Sequence, residues 1–459
     1  MAGGCRREGG KCSGAVPGAD GWGFVGGGAD ATFGGMSKER LAVIGGGIAG
    51  LGAAWLLRQR YDVTVFEREK HIGGHSNTVE VDEEGRRVPI DTGFMVFNKV
   101  TYPYLVRLFD ELRVPIKPTE MSFSVRHEGL DVEYNGMGLN RVFAQRANLV
   151  RPRFLKLLAQ ILRFFRVANA SLHDESLESM SLDEFVRLHR LGDDFLRLYL
   201  VPMSASIWSI SPGGALDFPA ATLVRFFHNH GFLGVTTHHP WFTVDGGSRE
   251  YVKRMLVELP KTQAAAPVVS VENGPEQVTV RTGDGGAQVF DRVILAAHAD
   301  ESLALLQNPT ALQDKLLSAF RYQANETLLH TDTTVMPRRK LAWAAWNYRM
   351  EPSAEGERPS THYYMNRLQG VSDRENYFVS LNYADRIDPE KVLWRKNYTH
   401  PIFDRAALAA QHHLPSINAE SRDQRVFFSG SYFRYGFHED ALASGVQCAR
   451  AVCGEDPWT

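Results

Sequence analysis

Cysteine, long hydrophobic runs and net charge are all scarce in this sequence, and each scarcity excludes a class of protein. The 4 cysteines among 459 residues lie near the two ends and form no C-x-x-C pair, which excludes a disulfide framework. No stretch approaches about 18 consecutive apolar residues, so we expect no membrane-spanning helix. A net charge of −2 gives the whole chain no attraction for nucleic acid. We expect a protein of the cytoplasm or an organellar stroma that is not secreted.

The amino-terminal residues also lack apolar periodicity. Residues 1–35 contain 13 glycines, but neither the apolar core of a signal peptide nor the Arg- and Ser-rich pattern of a transit peptide. We expect residues 1–36 to form a disordered, glycine-rich extension. The rest of the chain is longer than one core usually organises, so two domains are expected.

The stretch around Gly47 organises the rest of the chain. Four apolar residues, Leu41–Ile44, predict a buried parallel strand, and the Ala- and Leu-rich residues 48–57 predict a helix. Gly45, Gly47 and Gly50 have the G-x-G-x-x-G spacing of a dinucleotide-binding loop. The free N–H groups and the positive dipole end at the start of the helix would bind a pyrophosphate.

An acidic residue and a second glycine-rich loop follow. The predicted strand Asp62–Phe66 ends at Glu67, which lies 22 residues after Gly45. A carboxylate at this position would accept hydrogen bonds from the ribose hydroxyls of an adenine nucleotide. Gly73 and Gly74 then form another loop, which indicates a cofactor longer than a mononucleotide. A bound dinucleotide is predicted because the two strands, the glycines, the helix and the acid follow one another with the required spacing.

Several motifs carry a family resemblance. They are V-I-G-G-G-I-A-G-L at 43–51, V-F-E-R at 65–68, G-G-H at 73–75 and D-T-G-F at 91–94, followed by segments at 245–252, 267–297, 425–430 and 436–445. With these motifs the sequence resembles the flavin-containing amine oxidase superfamily. One subgroup, the FAD-containing proteins found beside, or fused to, cyclopropane fatty acyl synthases, is similar above all. The motifs that carry this likeness are G-H-S-N-T at 74–78, D-T-G-F-M-V-F-N at 91–98, H-Y-Y-M-N-R-L-Q at 362–369 and Y-G-F-H-E-D at 435–440. The segments between the motifs match poorly, as expected when a cofactor domain is shared and a substrate domain is not.

The resemblance implies an α/β fold with a Rossmann-like FAD-binding domain of the glutathione-reductase type and a discontinuous α+β substrate domain. The FAD-binding domain would comprise residues 37–115, 239–300 and 420–459, and the substrate domain residues 116–238 and 301–419. The implied cofactor is FAD. The residues implied to hold it are Gly45, Gly47, Ile48, Ala49, Gly50, Glu67, Arg68, Gly73, Gly74, His75, Asn77, Thr78, Thr92, Gly93, Phe94, Val268, Ala296, Gly430, Phe437, His438, Glu439, Asp440, Ala441 and Ser444.

Several roles at the flavin stay open in this comparison. Glu439 and Asp440 would bind ribityl hydroxyls, although acids at a helix start also serve as ordinary caps. Phe437 and Tyr398 would form an aromatic cage over the flavin, or they are core residues. His75 stands where the wider family commonly has Arg, so a charge-neutralising role at the pyrophosphate is in doubt.

The subgroup resemblance implies a fatty acyl substrate, bound in a phospholipid, in which a double bond is introduced or shifted by hydride transfer to flavin N5. His438, His298 and Tyr398 are the candidates for accepting the second hydrogen as a proton. Amine oxidases carry a lysine in a substrate-domain strand, and this chain has no lysine between Lys315 and Lys340. An amine or polyamine oxidase, or a redox-silent FAD-bearing accessory subunit of a lipid-modifying enzyme, are the alternatives.

Three segments outside the implied FAD domain are apolar, aromatic and short of charge. They are Pro202–Trp208, Asp217–Val224 and Leu341–Trp346. Such segments could line a slot for an alkyl chain, or they could form ordinary core. Four histidines, at 228, 230, 238 and 239, have neither a flanking cysteine nor an H-E-x-x-H motif, so we expect pocket or core residues and no metal.

A segment between Tyr134 and His173 contains no acidic residue. Its seven basic residues are Arg141, Arg146, Arg151, Arg153, Lys156, Arg163 and Arg166. Apolar residues at 154, 157, 158, 161, 162 and 165 recur with the spacing of one helix face. A basic amphipathic helix of this kind is typical of a protein that docks on a membrane surface. The alternative is a helix that faces the core and exposes a solvated basic side.

Overall fold

The computed structural model describes residues 38–208, 216–354 and 356–458, so the extension expected at residues 1–36 lies outside the described part of the chain. Within that part the strands are β1 (Arg40–Ile44), β2 (Asp62–Phe66), β3 (Thr78–Glu83), β4 (Arg86–Asp91), β5 (Phe97–Asn98), β6 (Ile116–Thr119), β7 (Phe123–His127), β8 (Val132–Asn135), β9 (Trp241–Val244), β10 (Thr262–Gln263), β11 (Val268–Asn273), β12 (Val278–Thr282), β13 (Ala287–Phe290), β14 (Arg292–Leu295), β15 (Arg321–His330), β16 (Trp346–Ser353), β17 (Gly356–Tyr364), β18 (Phe378–Leu381), β19 (Val392–Ile402) and β20 (Val426–Phe428). The α-helices are Ile48–Leu57, Pro103–Glu111, Gly138–Val142, Pro152–Ala170, Leu182–Leu188, Asp193–Phe195, Val201–Trp208, Ala220–Asn229, Arg249–Val257, Ala299–Leu305, Ala311–Leu317, Met365–Leu368, Arg405–Gln411, Leu414–Gln424 and His438–Cys453.

A five-stranded parallel sheet, in the order β10-β2-β1-β14-β20, carries the first glycine-rich loop at the end of β1. The apolar residues of β1 are buried because elements cover both faces of a parallel sheet. The helix Ile48–Leu57 is buried along its whole length and packs against the last helix, His438–Cys453. A Cβ atom at Gly445 would lie 2.4 Å from the carbonyl oxygen of Ala49, so glycine is needed for this close packing. The Rossmann-like part of the predicted fold is confirmed.

Three smaller sheets join this layer to the rest of the molecule. The insert β11-β12-β13 is antiparallel and returns the chain to the main sheet at β14. The hairpin β3-β4 leads from the second glycine-rich loop to the D-T-G-F motif. The sheet β5-β9-β6 brings residues 241–244 beside residues 97–98 and 116–119.

A seven-stranded sheet in the order β19-β15-β18-β17-β16-β7-β8 is assembled from residues 123–135 and 321–402. Since residues two apart on a strand share a face, register assigns each side chain to one side. Trp346 lies opposite Tyr363, and Tyr363 lies opposite Val379. We call the side that carries these residues the inner face. It contains Val125, Thr327, Leu329, Trp346, Tyr348, Thr361, Tyr363, Val379, Leu381 and Tyr398.

The opposite side of the sheet has a buried polar network. The Ser380 hydroxyl lies 2.7 Å from both His330 Nε2 and His362 Nδ1, and Ser360 Oγ lies 2.9 Å from His362 Nε2. Each of these groups has a partner within the sheet, so the network is structural.

The basic segment forms the helix Pro152–Ala170, but its apolar side does not face outward. Phe154, Leu157 and Phe164 are buried, and the Phe164 ring packs against Phe185 and Phe195. Neighbouring helices thus cover most of this apolar side, with Leu162 exposed, and docking of the segment on a membrane stays a prediction. The sequence pattern could not distinguish the two environments, since both bury one side of an amphipathic helix.

Within the described ranges, no helix is both long enough and apolar enough to cross a membrane.

Candidate functional site

The first glycine-rich loop encloses an open space at Gly47. A Cβ atom at Gly45 would lie 2.6 Å from the Ala296 carbonyl oxygen, and one at Gly50 would lie 2.0 Å from the Gly45 carbonyl oxygen. These two glycines are therefore required by the protein itself. A Cβ atom at Gly47 would meet no protein atom within 4 Å, although Gly47 directly precedes the helix that begins at Ile48. This space lies where the unpaired N–H groups of a helix start attract a phosphate.

Glu67 lies at the end of β2, beside this loop. Its two carboxylate oxygens accept hydrogen bonds from the backbone N–H groups of Gly46, at 2.8 Å, and Glu69, at 2.9 Å. The adjacent Arg68 points away and forms an ion pair with Glu301 at 2.7 Å. The structure thus joins the predicted acid to the glycine loop.

The second glycine-rich loop touches the first. Gly74 has a φ angle of +58°, and a Cβ atom there would lie 3.1 Å from Gly47 Cα. The following residue, His75, is stacked on Tyr398 with ring centroids 4.9 Å apart and contacts His400 at 5.3 Å. Its buried Nε2 has no hydrogen-bond partner in the described part of the chain. An unpaired buried polar atom beside an open loop is a position for a ligand.

Residues of the D-T-G-F motif lie against this loop. The Phe94 N–H donates to the His75 carbonyl oxygen at 2.7 Å, and the Thr92 N–H donates to that of Asn77 at 2.9 Å. Tyr398 joins both segments, because its hydroxyl accepts from Asn77 Nδ2 at 2.9 Å and lies 2.9 Å from Thr92 Oγ1. The predicted residues from 75 to 94 thus form one bonded unit with Tyr398.

Asp91, which the sequence analysis did not single out, ties this unit to the segment that follows β9. Its carboxylate accepts hydrogen bonds from the Ser248 N–H at 2.9 Å, from Thr78 Oγ1 at 2.5 Å and from Gln369 Nε2 at 2.6 Å. Burial raises the pKa of Asp91, and these donors act in the opposite direction. Sequence analysis could have identified Asp91, because it is the first residue of the D-T-G-F motif.

His438 begins the last helix and is held by three neighbours. Its ring stacks on Phe94 at 3.8 Å, and its Nε2 lies 2.9 Å from the Tyr251 hydroxyl and 3.4 Å from Ser76 Oγ. Burial lowers the pKa of His438 to about 3, so the ring is neutral at pH 7. Nδ1 makes no hydrogen bond to any described residue and stays available for a substrate or cofactor.

The two acids after His438 have partners within the protein. The Glu439 oxygens accept the N–H groups of Tyr104 and Leu105, both at 2.9 Å, and so cap the helix Pro103–Glu111. Asp440 accepts the Phe437 N–H at 3.0 Å. Burial raises the pKa of Glu439 to about 7 and that of Asp440 to about 6. These contacts match the capping alternative, and ribityl binding by this pair stays a prediction.

Farther along the last helix, Ser444 stabilises the loop after β20. Its hydroxyl accepts the Gly430 N–H at 2.8 Å and donates to the Ala441 carbonyl oxygen at 2.7 Å. Val268 lies at the start of β11 and is half-buried. The predicted positions 268, 296, 430, 441 and 444 thus come from the insert, the end of β14 and the closing strand and helix.

His298 and His400 complete a group of histidines around His75. The His298 ring stacks on Tyr322 at 4.2 Å, and His400 Nδ1 lies 2.8 Å from Asn325 Nδ2. Burial, together with His400, His298 and His438, holds the pKa of His75 well below its usual value. His400 was missed by the sequence analysis, although it lies two residues after Tyr398 on the same face of β19.

The expected aromatic cage is divided between two ring clusters. Phe437 stacks on Phe226 at 5.0 Å and lies 6.2 Å from Trp208, whereas Tyr398 stacks on His75. Phe226 also stacks on His230 at 3.9 Å, which places that histidine in an aromatic core. Across the described residues, no group of three or more His, Cys, Asp or Glu side chains is arranged to hold a metal ion.

These residues fit FAD. The space at Gly47 suits a pyrophosphate at a helix start, and Glu67 lies where an adenosine ribose needs an acceptor. The unpaired Nε2 of His75 and the free Nδ1 of His438 supply polar atoms near the two loops. The structure brings several of the predicted segments together, while the contact of each residue with the cofactor stays a prediction.

Comparison with known proteins places the chain in a family. A family described as flavin containing amine oxidoreductase matches residues 48–453. An uncharacterized protein, R656, of Acanthamoeba polyphaga mimivirus is 48% identical over 67 residues, which span 14% of each chain. Such a stretch covers only a small part of that curated relative.

Two solved structures share the fold over most of their length. A CLA-producing fatty acid isomerase from P. acnes has a TM-score of 0.63 at 14% identity, with 89% of this chain and 97% of that chain covered. Cyclohexylamine oxidase from Brevibacterium oxydans IH-35A has a TM-score of 0.65 at 16% identity, with 91% and 99% covered. This chain therefore belongs to the flavin-containing amine oxidoreductase family and is an FAD-dependent oxidoreductase.

Proposed function

We propose that this oxidoreductase acts on the alkyl part of a fatty acyl compound, in which it introduces or shifts a double bond. The observation that carries the proposal is the mainly apolar and aromatic inner face of the seven-stranded sheet. One end of this face reaches the flavin loops through Tyr398, which bonds Asn77 and Thr92. At the other end the helix Val201–Trp208 covers β16. Apolar and aromatic side chains without charge are what an alkyl chain requires.

An amine substrate would need different surroundings. An ammonium group that enters a buried site requires carboxylates or other acceptors. Charged side chains on the inner face lie at its margins, as Lys396 and Glu357 do. Glu357 is paired with Arg197 and lies 3.2 Å from His127, so its charge is already balanced. The fold itself does not choose between the two substrate classes, because both solved structures share it.

When bound, FAD supplies the acceptor for a hydride taken from an acyl carbon. The protein must then exclude water and accept the second hydrogen as a proton. His438 is a candidate for this task because its Nδ1 has no hydrogen bond to a described residue, whereas burial lowers its pKa to about 3 and so makes it a weak base. Tyr398 is positioned by two hydrogen bonds, and His298 is the remaining candidate. A shift of the double bond would return one hydrogen to the chain at a different carbon, whereas desaturation would leave the hydride with the cofactor and release the proton from the accepting residue to solvent.

Anaerobic mixing of the FAD-loaded protein with candidate substrates tests the proposal. With vesicles of unsaturated phosphatidylglycerol, we expect either bleaching of the flavin absorption or a change in double-bond position in the extracted acyl chains by mass spectrometry. With spermine or cyclohexylamine, we expect neither change. Bleaching of the flavin by an amine but not by lipid would support the amine oxidase alternative. Complete inertness towards both, with photoreducible FAD in place, would favour the redox-silent accessory subunit.

Access to lipid requires contact with a membrane, and the surface around residues 137–166 supports such a contact. Six large apolar side chains in this region are exposed. They are Met137, Leu139, Leu149, Val150, Leu155 and Leu162. Three of the seven cations are paired, as Arg141 with Glu120, Arg151 with Asp131 and Arg153 with Asp194. In contrast, Lys156, Arg163 and Arg166 form no ion pair with any described residue. Cations without partners beside exposed leucines suit an anionic leaflet.

Replacing the three unpaired cations Lys156, Arg163 and Arg166 by Gln should abolish binding to phosphatidylglycerol vesicles. Each cation contributes about 1 kcal/mol near an anionic surface, so partitioning should fall on the order of 100-fold. Co-sedimentation at low and high salt measures it. The matched control replaces the three paired cations Arg141, Arg151 and Arg153, and it should retain most of the binding. Equal losses in both variants would show that general charge, and not this surface, governs the attraction.

A further inference from the structure

Three polar atoms on or beside the inner face are buried without a hydrogen-bond partner among the described residues. They are Trp208 Nε1, Trp346 Nε1 and Tyr348 Oη. Tyr348 is 1% exposed and Trp208 is 6% exposed, so water does not reach these side chains freely. Because an unpaired buried donor costs free energy, native proteins rarely keep several of them in one place without a use.

The three atoms belong to two segments that face each other. Trp346 and Tyr348 are two residues apart on β16 and share the inner face. The helix Val201–Trp208 packs on β16, with Ala205 in contact with Tyr348. Trp208 follows Ala205 by three residues, and therefore lies on the same side of that helix. The Trp208 ring also lies 6.2 Å from Phe437, the residue before His438.

The chemistry of these atoms defines what they can bind. An indole N–H is a donor only, and a phenol hydroxyl can donate. An ammonium group, which has donors alone, cannot satisfy the two indoles, whereas a carbonyl or carboxylate oxygen can. We propose that Trp208, Trp346 and Tyr348 bind the oxygen atoms of the acyl group, while the alkyl chain lies along the inner face towards the flavin loops. This inference rests on the proposed function, since it concerns the polar end of the same substrate.

Unpaired buried atoms also occur elsewhere, for example at Trp458 Nε1 and Tyr432 Oη. Trp458 stacks on Tyr104, next to the helix Pro103–Glu111, and lies outside the seven-stranded sheet. What distinguishes the first group is that three donors occur on two facing segments, beside the apolar surface already assigned to the substrate. Trp458 therefore serves as a control residue, because its indole N–H is also buried without a partner but lies away from the inner face.

The test measures binding of matched C12 compounds to the FAD-loaded protein through the change in the flavin absorption spectrum. The probes are dodecanoate, methyl dodecanoate, dodecane and dodecylamine. In Tyr348→Phe and Trp346→Phe we expect affinity for methyl dodecanoate to fall about five- to tenfold, the range expected for one lost neutral hydrogen bond. Affinity for dodecanoate should fall further, because its acceptor is a charged carboxylate. Affinity for dodecane should stay the same. Since the removed group has no partner in the free protein, Tyr348→Phe should be at least as stable as the wild type in thermal unfolding.

Different results overturn different claims. Unchanged acyl affinity in both variants, with normal binding by the wild type, would refute the donor assignment and leave the proposed function intact. Tight binding of dodecylamine with none of dodecanoate would refute the proposed function itself. A parallel loss of dodecane binding and of stability would identify a packing role in place of recognition. Trp458→Phe should bind all four probes as the wild type does, and a loss there would equally count against the assignment. The ester and the free acid separate a lipid-bound acyl group from a free fatty acid.

Discussion

Gly47→Val is expected to give a folded protein that is purified without FAD. Gly47 has an extended backbone, with φ −78° and ψ 177°, which valine adopts readily. A Cβ atom there meets no protein atom within 4 Å, so the folded chain has room for the side chain. That room is the space in which a pyrophosphate approaches the helix start. The ratio of absorbance at 450 nm to that at 280 nm measures the bound flavin, and circular dichroism measures the fold.

A second glycine provides the control for this substitution. Gly136 lies at the end of β8, where the nearest contact of an added Cβ atom would be an ordinary 3.8 Å from the Phe123 carbonyl oxygen. Gly136→Val should therefore retain FAD, and any small loss of stability from valine should appear in both proteins. Full FAD content in Gly47→Val would show that the pyrophosphate does not lie at this loop. By contrast, Gly50→Val should not fold, because its Cβ atom would collide with backbone.

The glycine loops could be predicted from sequence because most of their determinants are local. Gly50 is required by its contact with Gly45 within the same strand–turn–helix unit, and Gly45 has a φ angle of +115°, which favours glycine, besides its close contact with the distant Ala296. Glu67 follows the next strand, and register alone brings it beside Gly46. A short stretch of chain thus contains most of the information needed to predict where a dinucleotide would bind.

Roles that depend on distant partners could not be predicted in the same way. The Glu439 carboxylate caps a helix through the N–H of Tyr104, which lies 335 residues earlier. Likewise, the orientation of the helix Pro152–Ala170 depends on the rings of Phe185 and Phe195, which no periodicity within the helix reveals. In both cases the residue type permitted two environments, and only tertiary contacts decided between them.

The inner face, too, could be predicted only in part from the sequence. Alternation along β16 could have placed Trp346 and Tyr348 on one side of a strand. Which side faces the helix Val201–Trp208 depends on the sheet order, in which β16 lies between β7 and β17. The apolar character of the predicted slot was thus visible in the sequence, but the group of unpaired donors within it was not.

Acid should destabilise this protein well above the pH at which ordinary carboxylates titrate. Burial lowers the pKa values of six histidines strongly. The pKa falls to about 4 for His230, His330 and His400 and to about 3 for His438, and it lies well below its usual value for His75 and His362. The unfolded chain takes up these protons near pH 6.5, so their contribution is fully present above pH 6.5 and is lost as the pH falls towards 4. Between pH 7 and 5.5 each of these histidines should lower the free energy of unfolding by about 1 kcal/mol.

Glu439 and Asp440 oppose this loss. Burial raises their pKa values to about 7 and about 6, so protonation stabilises the folded state, and their contribution grows as the pH falls through this range. Protonation of these two acids should add about 2 kcal/mol to the free energy of unfolding, whereas the six histidines should lower it by about 6 kcal/mol, so the net loss between pH 7 and 5.5 is about 4 kcal/mol. The free energy of unfolding of the FAD-saturated protein, from urea titrations followed by circular dichroism, measures this difference.

His230→Phe separates the histidine contribution from other effects of acid. The ring of His230 stacks on Phe226 at 3.9 Å, so phenylalanine fits the aromatic cluster and cannot be protonated. The loss of stability between pH 7 and 5.5 should be smaller in this variant by about 1 kcal/mol. His413 is exposed, so its ring meets water in both states, and His413→Phe should lose as much stability as the wild type. If His230→Phe kept the full pH dependence, the buried neutral histidines would not be the groups that make the fold sensitive to acid.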